Sequence, residues 1–301
     1  MKGEFFTGEN VKMLTKENIY AGIVIFNPEI SSLKENINHI MPQVSKIILY
    51  DNGSSNVNSV KDLLEKLHDS LNTIFLIEGK KNMGIAYALN RICEWGIKNK
   101  FSWCVTLDQD SICCDDMIEK MLNYISMPNI GIIAPVLVHA GRDDKNSCQN
   151  ANKNSYQETD GAITSGALTN LAAWEKINGF DEWLFIDGVD NDFCTRLKLN
   201  NYKIIQVLNA EILHSMGNLE HKKFFGKTIT FASHSAFRRY YMARNSIYLH
   251  KKYGNNFKAA FSGIIKEFIK VIFFETNKLA KLKNIILGCI DGLKSKPTKN
   301  F

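Results

Sequence analysis

The sequence predicts an α/β protein with a mainly parallel sheet, helices on both faces of that sheet and a helical extension at the C-terminus. In the first 110 residues, four short apolar runs alternate with segments whose apolar residues recur at helical spacing. The apolar runs are continuous and rich in β-branched residues, as in strands buried on both faces. Strands and helices in alternation form right-handed crossovers, which make neighbouring strands parallel.

The predicted elements follow one another in a single order along the chain. The predicted strands span 19–26, 46–51, 72–79, 103–108, 130–138, 162–171 and a last segment that ends at His214. The predicted helical segments span 29–41, 57–70, 84–99, about 188–200 and 237–290. Between the fifth and sixth strands, the polar stretch 139–160 indicates a surface loop.

Composition restricts the class of protein. The chain has 301 residues, 45% of them hydrophobic, with five prolines, which fits one large or two small ordered domains. Its seven cysteines are odd in number and include no C-x-x-C pair, so we expect neither a disulfide framework nor a zinc cage. The first 20 residues lack the apolar run of a signal peptide, and no apolar run reaches the roughly 18 residues of a membrane span. We therefore expect a cytoplasmic protein.

The net charge of +6 is unevenly distributed along the chain. Residues from Lys251 onward contain eleven lysines and three acidic residues, a net charge of +8, so residues 1–250 carry a net charge of −2. A nucleic-acid-binding domain concentrates basic residues on the surface that meets the phosphates. The negative charge of residues 1–250 therefore argues against nucleic acid as a partner.

Polar side chains follow each of the first four predicted strands. Asn27 follows the first strand, Asp51 ends the second, Asn82 follows the third, and Asp108 and Asp110 end the fourth. In open α/β sheets, ligands bind outside the carboxyl ends of the strands. The sequence therefore predicts that these side chains line one crevice.

Asp108 and Asp110 are the strongest candidates for a metal site. Two carboxylates at one strand end suit Mg²⁺ or Mn²⁺, which binds one or two carboxylates and completes its shell with water and phosphate oxygens. The alternative is a strand-end turn with solvated carboxylates. The apolar strand that ends at Leu107 favours the metal site, because it puts both aspartates at the ligand-binding edge.

Two other strand ends carry weaker signals. Asp51 precedes a small, glycine-containing turn and could accept a hydrogen bond from a base or ribose, although an ordinary turn explains the pattern equally well. Asn82 and Gly84 precede a helix whose free N–H groups could bind an anion, and Asn90 could flank the same ligand. The alternative for this segment is a solvated helix start.

Three aspartates crowd the start of the helix predicted near residue 188. Asp187 is a plausible N-cap, and Asp192 lies four residues before Arg196, which predicts a structural ion pair. Asp190 is one turn into the helix and shares its inward face with Cys194. A carboxylate on an inward face is well suited to act as a general base. His214, at the end of a strand, is either a ligand or a structural histidine.

In this order, the motifs resemble those of the family 2 glycosyltransferases, which have the GT-A fold, a Rossmann-like sheet flanked by helices. The resemblance covers about 19–245 and includes "NMGIAYALN" for the pattern N-x-G-x-x-x-A-x-N and "LDQDS" for the metal-binding D-x-D. The segments "VIFNPE", "DNGS", "TSGALTNLAAWEKINGFDEWLFID" and "GVDNDFCTR" match the other family motifs in sequence order. One residue departs from the pattern, because Val189 stands where most of the family has a glutamate before the aspartate. The base role therefore falls on Asp190 alone.

The resemblance implies an inverting, metal-dependent glycosyltransferase. Asp190 would deprotonate the acceptor hydroxyl, and Asp108, Asp110 and His214 would hold Mg²⁺ or Mn²⁺ against the diphosphate of the donor. The nucleotide sugar would contact Phe26, Asn27, Asp51, Asn82, Gly84, Asn90 and Asp108. The acceptor would border Ser165, Gly166 and Asp187.

Within the family, "LDQDS", "FIDGVDNDFC" and "RRYYMARNSIYL" are most similar to bacterial rhamnosyltransferases of surface polysaccharide assembly, such as O antigen. This similarity implies dTDP-rhamnose as donor and a glycan acceptor, lipid-linked at the inner face of the cell membrane. The basic tail then suits anionic headgroups, so we expect peripheral membrane contact. Alternatively, the tail packs on the catalytic domain or on a second subunit with its lysines in water.

The resemblance divides the chain into an N-terminal extension at 1–17, a GT-A catalytic domain at 18–245 and a basic amphipathic helical region at 246–301. The catalytic domain would comprise a nucleotide-binding half, 18–112, and an acceptor-binding half, 113–245.

Three rival functions are compatible with parts of the sequence. A related hexosyltransferase would use a UDP-sugar instead of dTDP-rhamnose. A phosphotransferase of the haloacid dehalogenase type would use Asp108 as a nucleophile, but such enzymes have their aspartates on the first strand. The third rival is a non-catalytic protein that binds the membrane surface, suggested by Val189 and the basic tail.

Overall fold

A nine-stranded sheet forms the centre of the protein in a computed structural model. The structure describes residues 16–67, 73–139, 155–214, 219–224, 227–254 and 257–298. The strands of the central sheet are β1 (Ile19–Ile25), β2 (Lys46–Asp51), β3 (Ile74–Glu78), β4 (Trp103–Asp108), β5 (Ile112–Cys113), β6 (Ile130–His139), β7 (Tyr156–Glu158), β8 (Leu168–Asn170) and β9 (Lys203–His214).

The strand order is β3-β2-β1-β4-β8-β6-β9-β5, with β7 also paired to β9. The first four strands of this order are mutually parallel, as the crossovers predict. Strand β8 is antiparallel to both β4 and β6, whereas β6 and β9 are parallel. The carboxyl ends of β1, β2 and β4 therefore meet at one edge of the sheet, where ligands bind in this class of fold.

Helices cover both faces of the sheet, and three more form the C-terminal region. They are α1 (Ile30–Ile40), α2 (Val57–Lys66), α3 (Ile85–Lys98), α4 (Met117–Leu122), α5 (Leu171–Lys176), α6 (Val189–Leu199), α7 (Ala236–Tyr253), α8 (Phe257–Phe274) and α9 (Lys278–Lys294). A separate hairpin consists of β10 (Leu219–Phe224) and β11 (Lys227–Ala232). Among the helices that the structure describes, none is long and apolar enough to cross a bilayer.

Strand β1 shows why the sheet is buried on both faces. Ile19 and Ile23 belong to the hydrophobic core that includes α1, α2 and α4, whereas Tyr20 and Val24 belong to the core that includes α3, α5 and α6. Gly22 lies between them because α3 crosses closely there: a Cβ atom at this position would be 2.2 Å from Ile92. The continuous apolar run of β1 thus supplies two cores at once.

Most of the predicted elements are present, and the differences lie after the fourth strand. The strand predicted at 162–171 is limited to Leu168–Asn170. It ends at Asn170 because the Asn170 side chain caps α5. The polar stretch 139–160 contains strand β7 at its end, and residues 140–154 lie outside the described parts. Helices α4 and α5 and the β10–β11 hairpin were not predicted. The predicted boundary at residue 245 falls inside α7, which is continuous.

A buried ion network joins α6 to α7. The Asp192 carboxylate is fully buried and accepts hydrogen bonds from Arg196 Nε at 2.7 Å, Lys252 Nζ at 2.6 Å and Tyr253 Oη at 2.6 Å. Lys252 also donates to Asp181 at 2.6 Å. The predicted pair of Asp192 and Arg196 is therefore confirmed, and it is part of a larger network.

A second network joins α7 to α8 and α9. The buried Arg239 guanidinium pairs with Glu267 and Glu275, and Glu275 also accepts from Lys281 at 2.8 Å. Next to these charges, Ala243, Ile247 and Ile285 form a small apolar core.

We predict that Asp192→Asn lowers the free energy of unfolding by about 3–5 kcal/mol, because Arg196 and Lys252 would stay buried without their shared carboxylate. Urea denaturation monitored by circular dichroism measures this loss. The matched control is Asp160→Asn, which removes an ion pair to Lys198 in which the aspartate side chain is 98% exposed. The control should keep the wild-type midpoint, and wild-type stability of Asp192→Asn would contradict the prediction.

Candidate functional site

The end of β4 is held against the segment before β8. The backbone N–H of Asp108 donates to the Ser165 hydroxyl at 3.2 Å, and the Ser165 and Ser111 hydroxyls are 2.7 Å apart. Gly166 donates its N–H to the Thr106 carbonyl at 2.7 Å. It has φ +82°, and a Cβ atom there would be 2.8 Å from Pro135, so this position favours glycine. Ser165 and Gly166 thus fix the strand end that carries Asp108.

Asp108 and Asp110 open onto a cavity of about 470 Å³ at the carboxyl edge of the sheet. We call it the donor cavity. Five of the predicted nucleotide-sugar and metal residues line it, namely Phe26, Asn82, Gly84, Asp108 and Asp110. Its other lining residues are Val24, Asn52, Ile85, Gln109, Phe185, Ile186, Phe237 and Arg238.

Asn52 organises one wall of the donor cavity. Its amide donates to Asn82 Oδ1 at 3.1 Å and to the Gly84 carbonyl at 3.2 Å, and its oxygen accepts from the Met83 N–H at 2.9 Å. Gly84 has φ +92°, and a Cβ atom there would be 2.6 Å from the Phe185 carbonyl oxygen. The close approach of these two backbones explains why the segment needs glycine.

Asp51 and Asn27 shape the neighbouring turn and do not line the donor cavity. Both Asp51 carboxylate oxygens accept from the Ser54 N–H, at 3.1 and 3.2 Å. The Asn27 side-chain oxygen accepts from the Ser55 N–H and hydroxyl, each at 2.8 Å. The contact predicted between Asp51 and the base stays a prediction.

Asn90 has a structural role. Its amide donates to the Phe180 carbonyl at 3.0 Å and to Glu182 at 2.8 Å, and its oxygen accepts from the Phe180 N–H at 2.8 Å. Trp174 Nε1 donates to the same oxygen at 3.3 Å. Both amide hydrogens are thus used within the protein, so Asn90 fixes a loop, and its contact with the donor stays a prediction.

Asp190 lies in a second cavity, of about 500 Å³, which Ser165 also lines. Burial, together with the negative charge of Asp108, raises the pKa of Asp190 to about 6, although hydrogen bonds from Thr164 act in the opposite direction. A carboxylate with this pKa is ionised at pH 7 and is a stronger base than a solvated aspartate. Ser165 lines this second cavity and accepts from the N–H of Asp108, which lines the donor cavity, so the two cavities are neighbours.

The loop before α6 is strained and held by α7. Phe185 and Asp187 both have positive φ, 62° and 64°, which is unfavourable for residues with a side chain. The Asn245 amide donates to the carbonyls of Leu184, Ile186 and Asp187, each at 2.7 Å. Contacts from α7 therefore stabilise a backbone that the loop would not adopt alone.

The prediction that Asp187 caps α6 is wrong. The N-cap is Gly188, with φ 81° and no side-chain hydrogen bond, because the chain enters the helix through a left-handed residue. The Asp187 carboxylate instead accepts from Arg238, from Nε at 3.1 and 3.2 Å and from Nη2 at 2.8 Å.

The residues at the end of β4 fit a divalent cation. Asp108 and Asp110 supply two hard oxygen ligands on one cavity wall, and Mg²⁺ commonly takes no more than that from a protein. The described parts of the chain contain no cluster of three acidic, cysteine or histidine side chains that would form a complete metal cage. His214 ends β9 one residue beyond Leu213, the partner of Ile112, but its side chain lies outside the described part of the structure.

Several lining residues were not predicted from the sequence. Phe185, Phe237 and Arg238 line the donor cavity. Asn52 and Gln109, which also line it, belong to the polar strand ends that were predicted to face one crevice. Gln109 lies between the two predicted aspartates, and its side-chain oxygen accepts from the Phe26 N–H at 2.8 Å. The segment "RRYYMARN" of α7 entered only the resemblance to rhamnosyltransferases, and no local pattern indicated which of its side chains line the cavity.

Comparisons with known proteins identify the family of this chain. The family model described as Glycosyl transferase family 2 matches residues 21–207. The chain is also similar to the dTDP-rhamnosyl transferase RfbF of Shigella flexneri. The two are 28% identical over 293 residues, which cover 92% of this chain and 96% of that protein.

Two solved structures share the fold. The mannosyltransferase PcManGT of Pyrobaculum calidifontis, in complex with GDP-Man and Mn²⁺, matches with a TM-score of 0.55 and 13% identity over 93% of this chain and 76% of that chain. GalNAc-T7 with UDP, GalNAc and Mn²⁺ matches with a TM-score of 0.57 and 12% identity over 69% of this chain and 45% of that chain. This chain thus spans less than half of GalNAc-T7. The predicted GT-A fold is confirmed.

Proposed function

Because the chain belongs to glycosyl transferase family 2 and is a glycosyltransferase, we propose that it transfers L-rhamnose from dTDP-rhamnose to a glycan acceptor with inversion at the anomeric carbon. One observation supports this function most strongly. Asp190, with its raised pKa, lies in a cavity beside the donor cavity that holds Asp108 and Asp110. A direct displacement requires a base beside the site that binds the diphosphate.

In the proposed reaction, the Asp190 carboxylate takes the proton of an acceptor hydroxyl as that oxygen attacks the anomeric carbon of the donor. The bond between this carbon and the diphosphate oxygen breaks, and the nucleoside diphosphate leaves with the electron pair. A single displacement of this kind inverts the configuration. Asp190 is then protonated and returns its proton to water.

Asp108 and Asp110 would hold Mg²⁺ or Mn²⁺ in the donor cavity, with His214 as a further candidate ligand. The bound cation would supply positive charge that stabilises the leaving diphosphate. The donor set of two carboxylates supports this choice of metal, and PcManGT and GalNAc-T7 were both solved with Mn²⁺.

The similarity to RfbF favours dTDP-rhamnose as the donor, because it extends over nearly the whole of both chains. The second candidate is a UDP-sugar, favoured by the UDP in the related GalNAc-T7 structure. Both nucleotides would enter the donor cavity. Asp51 and Asn27 would position the turn at Ser54 and Ser55 beside the nucleoside.

We further propose that the acceptor is lipid-linked, that the reaction serves surface polysaccharide assembly such as O antigen, and that the protein binds the inner face of the cell membrane. Large apolar side chains are exposed at helical spacing on α8 and α9. Ile265 is 55% exposed, Ile269 48% and Ile286 51%. The net charge of +8 from Lys251 onward complements anionic headgroups and would repel a second copy of the same region.

Calorimetric titration tests the donor and the metal. We predict that wild-type protein binds dTDP-rhamnose with Mg²⁺ or Mn²⁺ at least about tenfold more tightly than UDP-glucose, a difference of about 1.4 kcal/mol. Asp108→Asn and Asp110→Asn should each remove the increase in affinity that the metal provides, because one carboxylate ligand is lost.

The matched control for these two variants is Asp115→Asn, which changes an aspartate side chain that is 89% exposed and does not line the donor cavity. It should bind the donor like the wild type. Equal affinity for dTDP-rhamnose and UDP-glucose would contradict the rhamnosyl assignment, and metal-independent binding would contradict the role of the two aspartates.

Sedimentation with phosphatidylglycerol vesicles tests the membrane contact. We predict that Ile265→Glu and Ile269→Glu each weaken vesicle binding several-fold, because each would put a negative charge on the apolar face of α8. Leu199→Glu is the matched control, since Leu199 is 53% exposed on α6, far along the chain from this face. The contact would instead be with a second copy if the wild-type protein does not bind the vesicles but forms a dimer in size-exclusion chromatography, and if Ile265→Glu abolishes that dimer.

A further inference from the structure

Arg238 is the one cationic side chain among the described residues that line the donor cavity. The same cavity contains the carboxylates of Asp108 and Asp110. A nucleoside diphosphate brings further negative charge to this place. Arg238 therefore supplies positive charge within the chain itself, on a cavity whose other charged groups are acidic.

The guanidinium of Arg238 is already oriented. Asp187 accepts from its Nε and Nη2 atoms, and these bonds do not involve the other terminal nitrogen, Nη1. Arg238 lines the donor cavity and its side chain is 45% exposed, whereas Asp187 does not line the cavity and its side chain is 20% exposed. A planar guanidinium held along one edge can still donate to an anion from its remaining N–H groups.

The orientation depends on the strained loop. Asp187 has φ 64°, and its carbonyl oxygen accepts from the Asn245 amide at 2.7 Å. Asn245 and Arg238 both belong to α7, so one helix fixes the loop backbone and also provides the guanidinium that the loop carboxylate holds. The position of the Asp187 carboxylate is therefore set by α7 before any ligand binds.

Several cationic side chains lie near His234, four residues before Arg238. Burial lowers the pKa of the neighbouring His234, and the charges of Arg238, Arg239 and Lys270 lower it further, while Asp187 acts in the opposite direction. Arg239 is committed to Glu267 and Glu275 in the helical region, so it does not serve the donor cavity. Among the described residues that line the donor cavity, Arg238 remains as the cation that a ligand can reach.

We propose that Arg238 binds the diphosphate of the donor and that Asp187 is a positioning residue that holds the guanidinium in place for it. The inference rests on the proposed function for the nature of the ligand. It also changes the part expected of Asp187, which acts on the donor side through Arg238 instead of bordering the acceptor. A bidentate arginine suits this task better than a lysine, because its fork matches two phosphate oxygens.

Titration with a series of ligands tests the proposal. The ligands are thymidine, dTDP, UDP and inorganic pyrophosphate, each with Mg²⁺, and Kd is measured for wild type, Arg238→Ala, Arg238→Lys and Asp187→Asn. We expect Arg238→Ala to raise the Kd of dTDP and pyrophosphate about tenfold and to leave that of thymidine unchanged. Arg238→Lys should recover part of the loss, because the charge remains but the fork does not.

The effect of Asp187 should depend on Arg238. Asp187→Asn alone is expected to raise the Kd of dTDP by a smaller factor, and the double variant should bind dTDP no more weakly than Arg238→Ala. Arg91→Ala is the matched control, because Arg91 is 36% exposed, pairs with Glu94 and lies outside the donor cavity. It should bind every ligand like the wild type.

Several outcomes would overturn the proposal. If Arg238→Ala binds dTDP and pyrophosphate as well as the wild type does, Arg238 is not a diphosphate ligand, and the proposed function is unaffected. If thymidine affinity falls by the same factor as dTDP affinity, Arg238 has only a structural role. If wild-type protein binds neither nucleotide nor pyrophosphate, both the inference and the proposed function are wrong.

Discussion

The rest of the site depends on the hydrogen-bonded ion pairs of the buried Asp192 carboxylate. It accepts from Arg196 within α6 and from Lys252 and Tyr253 on α7, and so it fixes these two helices to each other. Asp190 lies two residues earlier on α6, and the strained loop before α6 is held by other residues of α7. Removing a partner from such a pair leaves a buried charge uncompensated. The position of the proposed base therefore depends on a charge that takes no part in the reaction.

The site concentrates negative charge and is suited to cationic partners. Burial and then the negative charge of Asp108 raise the pKa of Asp190, so the nearby proposed metal ligand contributes to the strength of the proposed base. A divalent cation on Asp108 and Asp110 would offset part of this charge when the donor binds. Arg238 would contribute positive charge from α7, the helix that also holds the loop before α6. Acid–base chemistry and diphosphate binding are thus linked electrostatically.

Much of this architecture could be predicted from the sequence, and the failures have physical reasons. Continuous apolar runs identified β1, β2 and β4, and their polar ends identified Asp108 and Asp110, because strand ends in a parallel sheet converge. The prediction that Asp187 is the N-cap failed because α6 begins after Gly188, whose left-handed backbone conformation depends on tertiary contacts. Arg238 was missed because its partner is 51 residues away and no local pattern relates them. Asn90 fits a family motif, yet its hydrogen bonds are determined by a loop about 90 residues later.

The central claim is that Asp190 is the general base, and the dependence of kcat on pH tests it most directly. With dTDP-rhamnose and a glycan acceptor, kcat of the wild type should rise with pH through about 6 and then level off, because Asp190 must be ionised to accept a proton. Asp190→Asn should lower kcat by about 10²–10⁴-fold and abolish this rise, with an unchanged Kd for the donor. A variant that transfers sugar at the wild-type rate, with the same pH profile, would contradict the assignment of the base.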